Sequence, residues 1–188
     1  MLERNKTQCY FDIYLKIENK IHIYGERMTI PTEVWVLPRP RKPYYPGSFP
    51  LHFEIKLIRL LDNPKKILHP FGGYAEHGIR LDLNKDVKPT AMADAHNLPF
   101  LSEHFDLVIC DSPYNDKLSE EMYKAPKVHY RKYINEAVRV SKVGGYIASY
   151  HWLWTTRPLK TEYYKIIVIL PGQHHRPRVC CIFKKIES

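Results

Sequence analysis

The stretch Phe105-Asp-Leu-Val-Ile-Cys-Asp-Ser-Pro-Tyr114 decides the fold and points to the chemistry. Its first six residues are mostly apolar, which is typical of a strand buried on both faces of a parallel sheet. Polar residues begin at once with Asp111. In open α/β sheets ligands bind at the carboxyl ends of the strands. The sequence therefore predicts a functional loop at 111–114.

Further apolar runs extend the predicted sheet. Each run before the central strand ends in a polar residue or in a loop rich in glycine or proline. These runs are Lys66–His69, Gly78–Asp82 and Thr90–Asp94. After the central strand, the sequence predicts a strand and then an antiparallel hairpin, over Tyr146–Tyr150, Tyr164–Leu170 and Val179–Lys184.

Two segments carry apolar residues at helical spacing. Leu51–Leu61 is expected to end at Asp62-Asn63-Pro64, and Lys127–Lys142 is expected to be capped by Gly144-Gly145. Strands that alternate with helices predict an α/β fold with a largely parallel sheet.

The connections in the first half of this sheet are short. Eight residues separate Gly73 from Asp82, and seven separate Asp82 from Thr90. A parallel crossover that carries a helix needs at least about 10–12 residues. We therefore expect shortened crossovers, with at most one helical turn at Tyr74–His77, and a sheet face without helical cover. The β-rich residues 9–36 or a second protomer would cover that face.

The N-terminal residues are β-rich. Tyr10–Ile17 and Lys20–Gly25 predict a hairpin, and Val34–Leu37 predicts a short extended segment. Residues 38–50 follow with five prolines and three cations, which excludes a helix. This proline-rich segment is either a linker or a basic, aromatic loop that lies on a ligand.

Composition narrows the class of function. The 188 residues carry a formal net charge of +9, which favours a polyanionic partner such as nucleic acid. The four cysteines contain no C-x-x-C pair, which argues against a disulfide framework or a structural zinc site. No apolar run approaches the about 20 residues that span a bilayer, and the N-terminus does not resemble a signal peptide. The expected location is the cytoplasm, with no membrane partner.

The loop after the central strand has the groups needed to act on a planar amine. The carboxylate of Asp111 and the backbone carbonyl of Ser112 can accept hydrogen bonds from an exocyclic NH2 group. These bonds keep lone-pair density on the nitrogen that attacks a methyl carbon. Pro113 makes the loop rigid, and Tyr114 offers a face on which an extruded base can stack. The same residue types are also common in a simple turn.

Three other predicted strand ends carry residues suited to ligands. His69–Gly73 is a glycine-rich turn that lets a ligand approach the backbone closely. Asp82 is placed where an acid can accept bonds from both hydroxyls of a ribose. Asp94–Phe100 follows the third strand.

Taken in order, these segments resemble the motifs of the Rossmann-like amino-methyltransferases that methylate adenine N6 or cytosine N4 in DNA, using S-adenosyl-L-methionine (AdoMet). Tyr45–Leu51 is similar to a further motif of that family, and the resemblance runs from roughly Tyr45 to Lys184. It implies a β-rich extension with a basic loop over 1–44 and a methyltransferase domain over 45–188. In having aspartate as the first residue of this loop, at position 111, the chain resembles the adenine-directed members more than the cytosine-directed ones.

The resemblance also implies roles for individual residues, with AdoMet as cofactor and no metal. The catalytic loop would comprise Asp111, Ser112, Pro113 and Tyr114. The methionine part of AdoMet would lie against Phe71, Gly72 and Gly73, the ribose against Asp82, and the adenine ring against Asp94 and Ala95. Further contacts to the cofactor would come from Pro46, Phe49 and Pro70.

Contacts to nucleic acid are expected from three basic loops, with DNA preferred over RNA. Each loop can equally be solvated surface. Their cations are Arg39, Arg41 and Lys42 in the first, Lys117 and Arg131 in the second, and Arg176 and Arg178 in the third. Trp152 and Trp154 are either stacking residues or part of the core.

Two residues depart from the family's pattern. Ser112 stands where proline is usual, which predicts a less rigid loop. His69 stands where an acid is usual, which predicts the loss of a hydrogen bond that orders the glycine turn. These departures keep two alternatives open, an RNA base methyltransferase and a non-catalytic nucleic-acid-binding subunit. With no recognition domain of the usual size, the chain resembles solitary methyltransferases of phages or mobile elements.

Overall fold

The computed structural model describes residues 21–23, 26–28, 30–40, 48–113, 127–172 and 176–188, the first two ranges by their backbone alone. Two helices are present in these residues, α1 (Phe53–Leu60) and α2 (Tyr130–Val140). The strands, in chain order, are β1 (Ile21–Ile23), β2 (Glu26–Met28), β3 (Thr32–Val36), β4 (Ile67–His69), β5 (Ile79–Asp82), β6 (Ala91–Met92), β7 (Phe105–Cys110), β8 (Ser141–His151), β9 (Thr161–Leu170) and β10 (Arg178–Lys185).

Eight strands form one mixed sheet, in the order β3-β9-β10-β8-β7-β4-β5-β6. Strands β6, β5, β4, β7 and β8 are mutually parallel, β10 runs antiparallel to β8 and β9, and β3 runs parallel to β9. The carboxyl ends of all the parallel strands therefore meet at one edge, where β10 begins. The structure confirms the predicted α/β sheet with its C-terminal hairpin.

Among the described residues, one helix packs on each face of the central strand β7. In β7, Leu107 and Ile109 share a buried cluster with Phe53 and Leu57 of α1. Their neighbours Val108 and Cys110 share another cluster with Ile134 and Ala137 of α2. Successive side chains of a strand point to opposite faces, so a continuous apolar run forms a strand covered on both sides. Cys110 is core, as its position in the run predicts.

The shortened crossovers are confirmed. Residues 70–78 connect β4 to β5 without a helix, and the connection from β5 to β6 contains only a 3-10 turn at Lys85–Val87. β6 comprises two residues, fewer than the predicted run Thr90–Asp94. Met92 is 61% exposed on this outermost strand.

Gly144-Gly145 does not cap the second helix, contrary to the sequence prediction. α2 ends at Val140, and the chain enters β8 directly at Ser141, whose hydroxyl donates to the Ala137 carbonyl at 2.7 Å. The two glycines lie inside β8, where the pairing with β7 jumps from Phe105↔Ser141 to Leu107↔Tyr146. Gly144 has φ +81°, a conformation that glycine adopts without strain. The two glycines therefore allow a bulge to form in the strand.

The N-terminal strands also differ from the predicted hairpin. β1 pairs with β2 in a separate two-stranded sheet, and Tyr10–Ile17 lies outside the described residues. β3 confirms the extended segment predicted at Val34–Leu37. It joins the far edge of the main sheet beside β9 and does not cover a sheet face.

No helix in the described part of the chain is long and apolar enough to cross a membrane.

Candidate active site

The glycine turn after β4 packs directly on β5. The Gly72 N–H donates to the Leu81 carbonyl at 2.6 Å. A Cβ atom at Gly72 would lie 2.6 Å from the Arg80 Cβ and 2.9 Å from its Cα, so no larger residue fits. Gly73 differs, because its φ is +43° and a Cβ there would meet nothing within 4 Å. The backbone at Gly73 is therefore open to a ligand, while Gly72 is needed for close packing.

Asp82 fixes the other side of this turn. Its carboxylate accepts the Gly73 N–H at 2.9 Å through one oxygen and the Asn84 N–H at 2.9 Å through the other. A carboxylate oxygen has two acceptor positions, so Asp82 keeps the capacity to accept further hydrogen bonds. Arg80 closes the arrangement by donating to the Gly73 carbonyl at 2.8 Å.

A buried pair orders the remainder of the turn. Glu54 of α1 accepts hydrogen bonds from the N–H groups of Glu76 and His77, and burial raises the pKa of its carboxyl. His69 Nε2 donates to the His77 carbonyl at 2.8 Å and lies 3.4 Å from Glu54 Oε1. The lost hydrogen bond predicted from His69 is thus replaced by a different set of bonds to the same turn.

His69 makes the stability of the fold depend on pH. Burial lowers the pKa of its imidazole from 6.5 to about 4, so the unfolded chain takes up this proton at higher pH than the folded one. Between pH 6.5 and 4 the unfolded state binds more protons, and stability falls as pH falls. At about 1.4 kcal/mol per pKa unit, His69 alone is expected to reduce the free energy of unfolding by about 3 kcal/mol over this range.

Denaturant unfolding at several pH values measures this effect. His69→Gln keeps a donor near the Nε2 position and removes the titration of His69, so its free energy of unfolding should fall less between pH 6.5 and 4 than that of the wild type. Equal pH dependence in the two proteins would contradict the assignment.

Asp94 is tied to the start of α2 through His96. Asp94 Oδ1 accepts both the backbone N–H of His96, at 2.9 Å, and its Nδ1–H, at 2.6 Å. His96 Nε2 accepts the backbone N–H of His129, which precedes α2, at 2.9 Å. Ala95, between them, is buried. This bridge was not predicted from the sequence, because it joins residues 33 positions apart.

Asp111 follows β7 at the centre of the carboxyl edge. Part of the residue remains accessible, but burial of its carboxyl group raises its pKa well above the ordinary value. The positive charge of Arg178 at the start of β10 lowers that pKa by a smaller amount. A carboxylate held in such surroundings is typical of functional sites.

A cavity of about 320 Å³ opens beside Ser112 and Pro113. Its volume falls within the range of about 300–1,000 Å³ that small-molecule sites occupy. The far wall comes from the first turns of α2 and from the segment after β8. The lining includes the aromatic side chains of Tyr130, Tyr133, His151 and Trp154, together with Val128, Leu153, Thr155 and Thr156. Asp111 does not line this cavity.

The remaining predicted site residues fall at several places. The Phe49 ring lies 6.2 Å from His69 and 5.2 Å from Tyr150, beside the carboxyl ends of β4 and β8. Pro70 is buried, and Phe71 packs edge-to-face on Tyr133 at 5.0 Å. Arg131 is exposed in the first turn of α2. The positions outside the described residues are Arg41, Lys42, Pro46, Tyr114 and Lys117.

Two of the predicted basic loops come together. Arg39 lies beside Gly172 in the turn between β9 and β10, where its side chain would be 3.8 Å from an added Cβ. Arg176 lies over the Trp152 ring at 5.5 Å, and Arg178 begins β10. Trp152 therefore contacts a cation, whereas Trp154 lines the cavity and donates to the Tyr163 hydroxyl at 3.1 Å. Within the described ranges, no group of three or more His, Cys, Asp or Glu residues is arranged to hold a metal ion.

No protein-family model matches the sequence, and no curated protein matches it. Solved structures do match. TrmN from Thermus thermophilus is 19% identical over 75% of this chain, with a TM-score of 0.53, and this chain spans 50% of TrmN. The 1,6-didemethyltoxoflavin-N1-methyltransferase of Burkholderia thailandensis, solved with S-adenosylhomocysteine, is 9% identical over 71% of this chain and 76% of its own, with a TM-score of 0.50. The chain thus has the α/β fold of the Rossmann-like methyltransferases.

Proposed function

We propose that this protein is an AdoMet-dependent methyltransferase that acts on an exocyclic amino group of a nucleic-acid base, with adenine N6 of DNA as the preferred acceptor. The observation that carries the proposal is the cavity beside Ser112 and Pro113, which opens next to a buried carboxylate at the carboxyl edge of a methyltransferase fold. Its aromatic wall suits a planar heterocycle.

The residues on the other side of this edge fit AdoMet. The open backbone at Gly73 leaves room for the methionine part, and Asp82 retains acceptor capacity for the ribose hydroxyls. Half of the Asp94 side chain is accessible, at 46%, beside the buried Ala95. AdoMet, when bound, supplies an electrophilic methyl group, so neither a metal nor a covalent nucleophile is required.

The role of the chain's own residues is to hold the acceptor and to exclude water. Asp111 and the carbonyl of Ser112 would accept hydrogen bonds from the amino group, so that its lone pair stays available for attack. Pro113 and the aromatic wall would fix the plane of the base. Correct positioning of the reacting groups accounts for much of the rate in such reactions.

The basic residues at the same edge support a nucleic-acid acceptor. Arg39, Arg176 and Arg178 lie where β3 and β9 end and β10 begins, on the side of the sheet edge that carries Asp111. Phosphates of a nucleic acid would be bound there while a single base enters the cavity. Guanidinium groups suit this task because they remain charged and present several donors.

Incubation with AdoMet and unmethylated DNA or RNA, followed by mass spectrometry of the nucleosides, tests the proposal. We expect N6-methyladenine in DNA. If N4-methylcytosine forms instead, the acceptor base is cytosine and not adenine. If only RNA is methylated, the substrate is RNA and not DNA. If S-adenosylhomocysteine causes no thermal shift and no product forms, the non-catalytic alternative replaces the proposal.

Arg178 is expected to set the pH range of the reaction. The ionised form of Asp111 is the stronger hydrogen-bond acceptor for the amino group, so kcat should rise with pH as this carboxyl loses its proton. Arg178→Gln removes the charge that lowers the Asp111 pKa, and the acidic limb of the kcat profile should move to higher pH.

Arg176→Gln provides the matched control, since it removes the same charge two residues away, where the guanidinium lies over Trp152. Its kcat profile should keep the acidic limb of the wild type. An equal displacement in both variants would show that the effect comes from the general charge of the surface.

A further inference from the structure

The Asp111–Pro113 loop is joined to α2 by two buried hydroxyl groups that lie within hydrogen-bond distance of each other. Ser112 Oγ and the Tyr133 hydroxyl oxygen are 3.0 Å apart, and the two residues are 4% and 3% exposed. Ser112 belongs to the loop after β7, whereas Tyr133 belongs to α2 on one face of the sheet. The pair therefore connects the loop to a rigid element that is 21 residues away in the chain.

Tyr133 is well suited to serve as a fixed point. Phe71 packs edge-to-face on its ring at 5.0 Å, and Tyr130 does so at 5.5 Å from the preceding turn of α2. Burial also raises the pKa of the phenol far above its ordinary value. The hydroxyl thus stays neutral and can either donate to Ser112 or accept from it.

Asp111 and the Ser112 carbonyl are the groups that the proposed function assigns to the acceptor amine. Both belong to the residues that this bond restrains. A displacement of about 1 Å in such groups can cost up to about 100-fold in rate. A proline at position 112 would restrict the loop through its ring, whereas serine restricts it only through a partner for its hydroxyl.

We propose that Tyr133 is a positioning residue, which holds the Asp111–Pro113 loop in its reactive conformation through the hydroxyl of Ser112. This inference rests on the proposed function, because it concerns the same loop. Beyond the ring that it gives to the cavity wall, Tyr133 acts on the loop through Ser112, and this role needs no contact with the reacting atoms.

A double-mutant cycle tests the inference. Tyr133→Phe and Ser112→Ala each remove one hydroxyl from the pair, so each should lower kcat at saturating AdoMet and acceptor by about 10-fold or more. The double variant should lose no more than either single variant, since one bond is lost in every case. The KM for AdoMet should stay within about 2-fold. Losses that multiply in the double variant would overturn the proposal.

Hydrogen exchange supplies a readout that does not depend on activity. The backbone amides of residues 107–112 should exchange faster in Tyr133→Phe than in the wild type. Tyr130→Phe is the matched control, because it removes a hydroxyl from the same cavity that donates to the Thr156 carbonyl at 2.6 Å. Exchange over 107–112 should stay unchanged in that control.

The two readouts separate the possible failures. If the wild type transfers no methyl group to any polymer, the proposed function fails, while exchange still decides whether Tyr133 restrains the loop. If exchange over 107–112 is the same in Tyr133→Phe and the wild type, the positioning role is wrong, whatever the activity.

Discussion

Asp111→Asn is expected to lower kcat for methyl transfer by about 100-fold to 1,000-fold, the range for loss of one electrostatic contact to a reacting group. Asparagine keeps the size of the side chain but replaces one acceptor oxygen with a donor. Burial disfavours the ionised carboxyl, and the neutral amide avoids that cost, so the loss of activity should not come from loss of stability. Nucleoside mass spectrometry over a time course gives the rate, and thermal denaturation gives the stability.

The same exchange at Asp62 is the control. Asp62 is exposed after α1 and has φ +57°, a conformation that asparagine also tolerates well. Asp62→Asn should retain the wild-type rate. An Asp111→Asn variant that retains wild-type activity would remove Asp111 from the proposed catalytic loop and would leave the Ser112 carbonyl as the proposed acceptor of hydrogen bonds from the amine.

Gly72→Ala should have the largest effect on the fold. An added methyl would lie 2.6 Å from the Arg80 Cβ, and both groups are attached to the backbone, so no side-chain rotation relieves the clash. The turn must then separate from β5 and lose the Gly72–Leu81 and Gly73–Asp82 hydrogen bonds. We expect a loss of about 3 kcal/mol. For a chain of this size that corresponds to a fall in Tm of about 6–12 °C.

Gly73→Ala is the comparison for this prediction. Its Cβ would meet nothing within 4 Å, so the cost is the φ of +43° alone, about 1 kcal/mol. Differential scanning calorimetry with and without S-adenosylhomocysteine distinguishes the two variants. Gly72→Ala should lose the ligand-induced shift as well as stability. If both variants have the same Tm, Arg80 moves away from the added methyl group at little cost, and Gly72 is not essential to the turn.

The sequence was sufficient where one segment decides its own structure. The apolar run Phe105–Cys110 is β7 to the residue, because a continuous run between polar loops has little choice of boundaries. The absence of crossover helices was equally predictable, since the residues counted between Gly73, Asp82 and Thr90 cannot hold them. Both conclusions rest on local pattern and on chain length.

Prediction failed where the local structure or the role of a residue depends on residues far away in the sequence. Gly144-Gly145 has the composition of a helix cap, but the pairing of β8 with β7 places it in a bulge. Glu54, His96 and Tyr133 have the spacing of ordinary helix or loop residues. Their importance comes from partners 21 to 33 positions away. Such pairings exist only once the sheet has formed, so no local pattern could reveal them.

The place of β3 at the end of the sheet has a consequence for the order of folding. β3 pairs with β9, and the ion pair between Glu33 and Lys165 joins residues 132 positions apart. During synthesis β3 leaves the ribosome long before its partner strand β9 does. The contacts between Trp35, whose ring also lies 6.3 Å from Phe53, and β9 can therefore form only after β9 has emerged. Once the other two tryptophans of the chain are replaced, the fluorescence of Trp35 reports the pairing of β3 with β9.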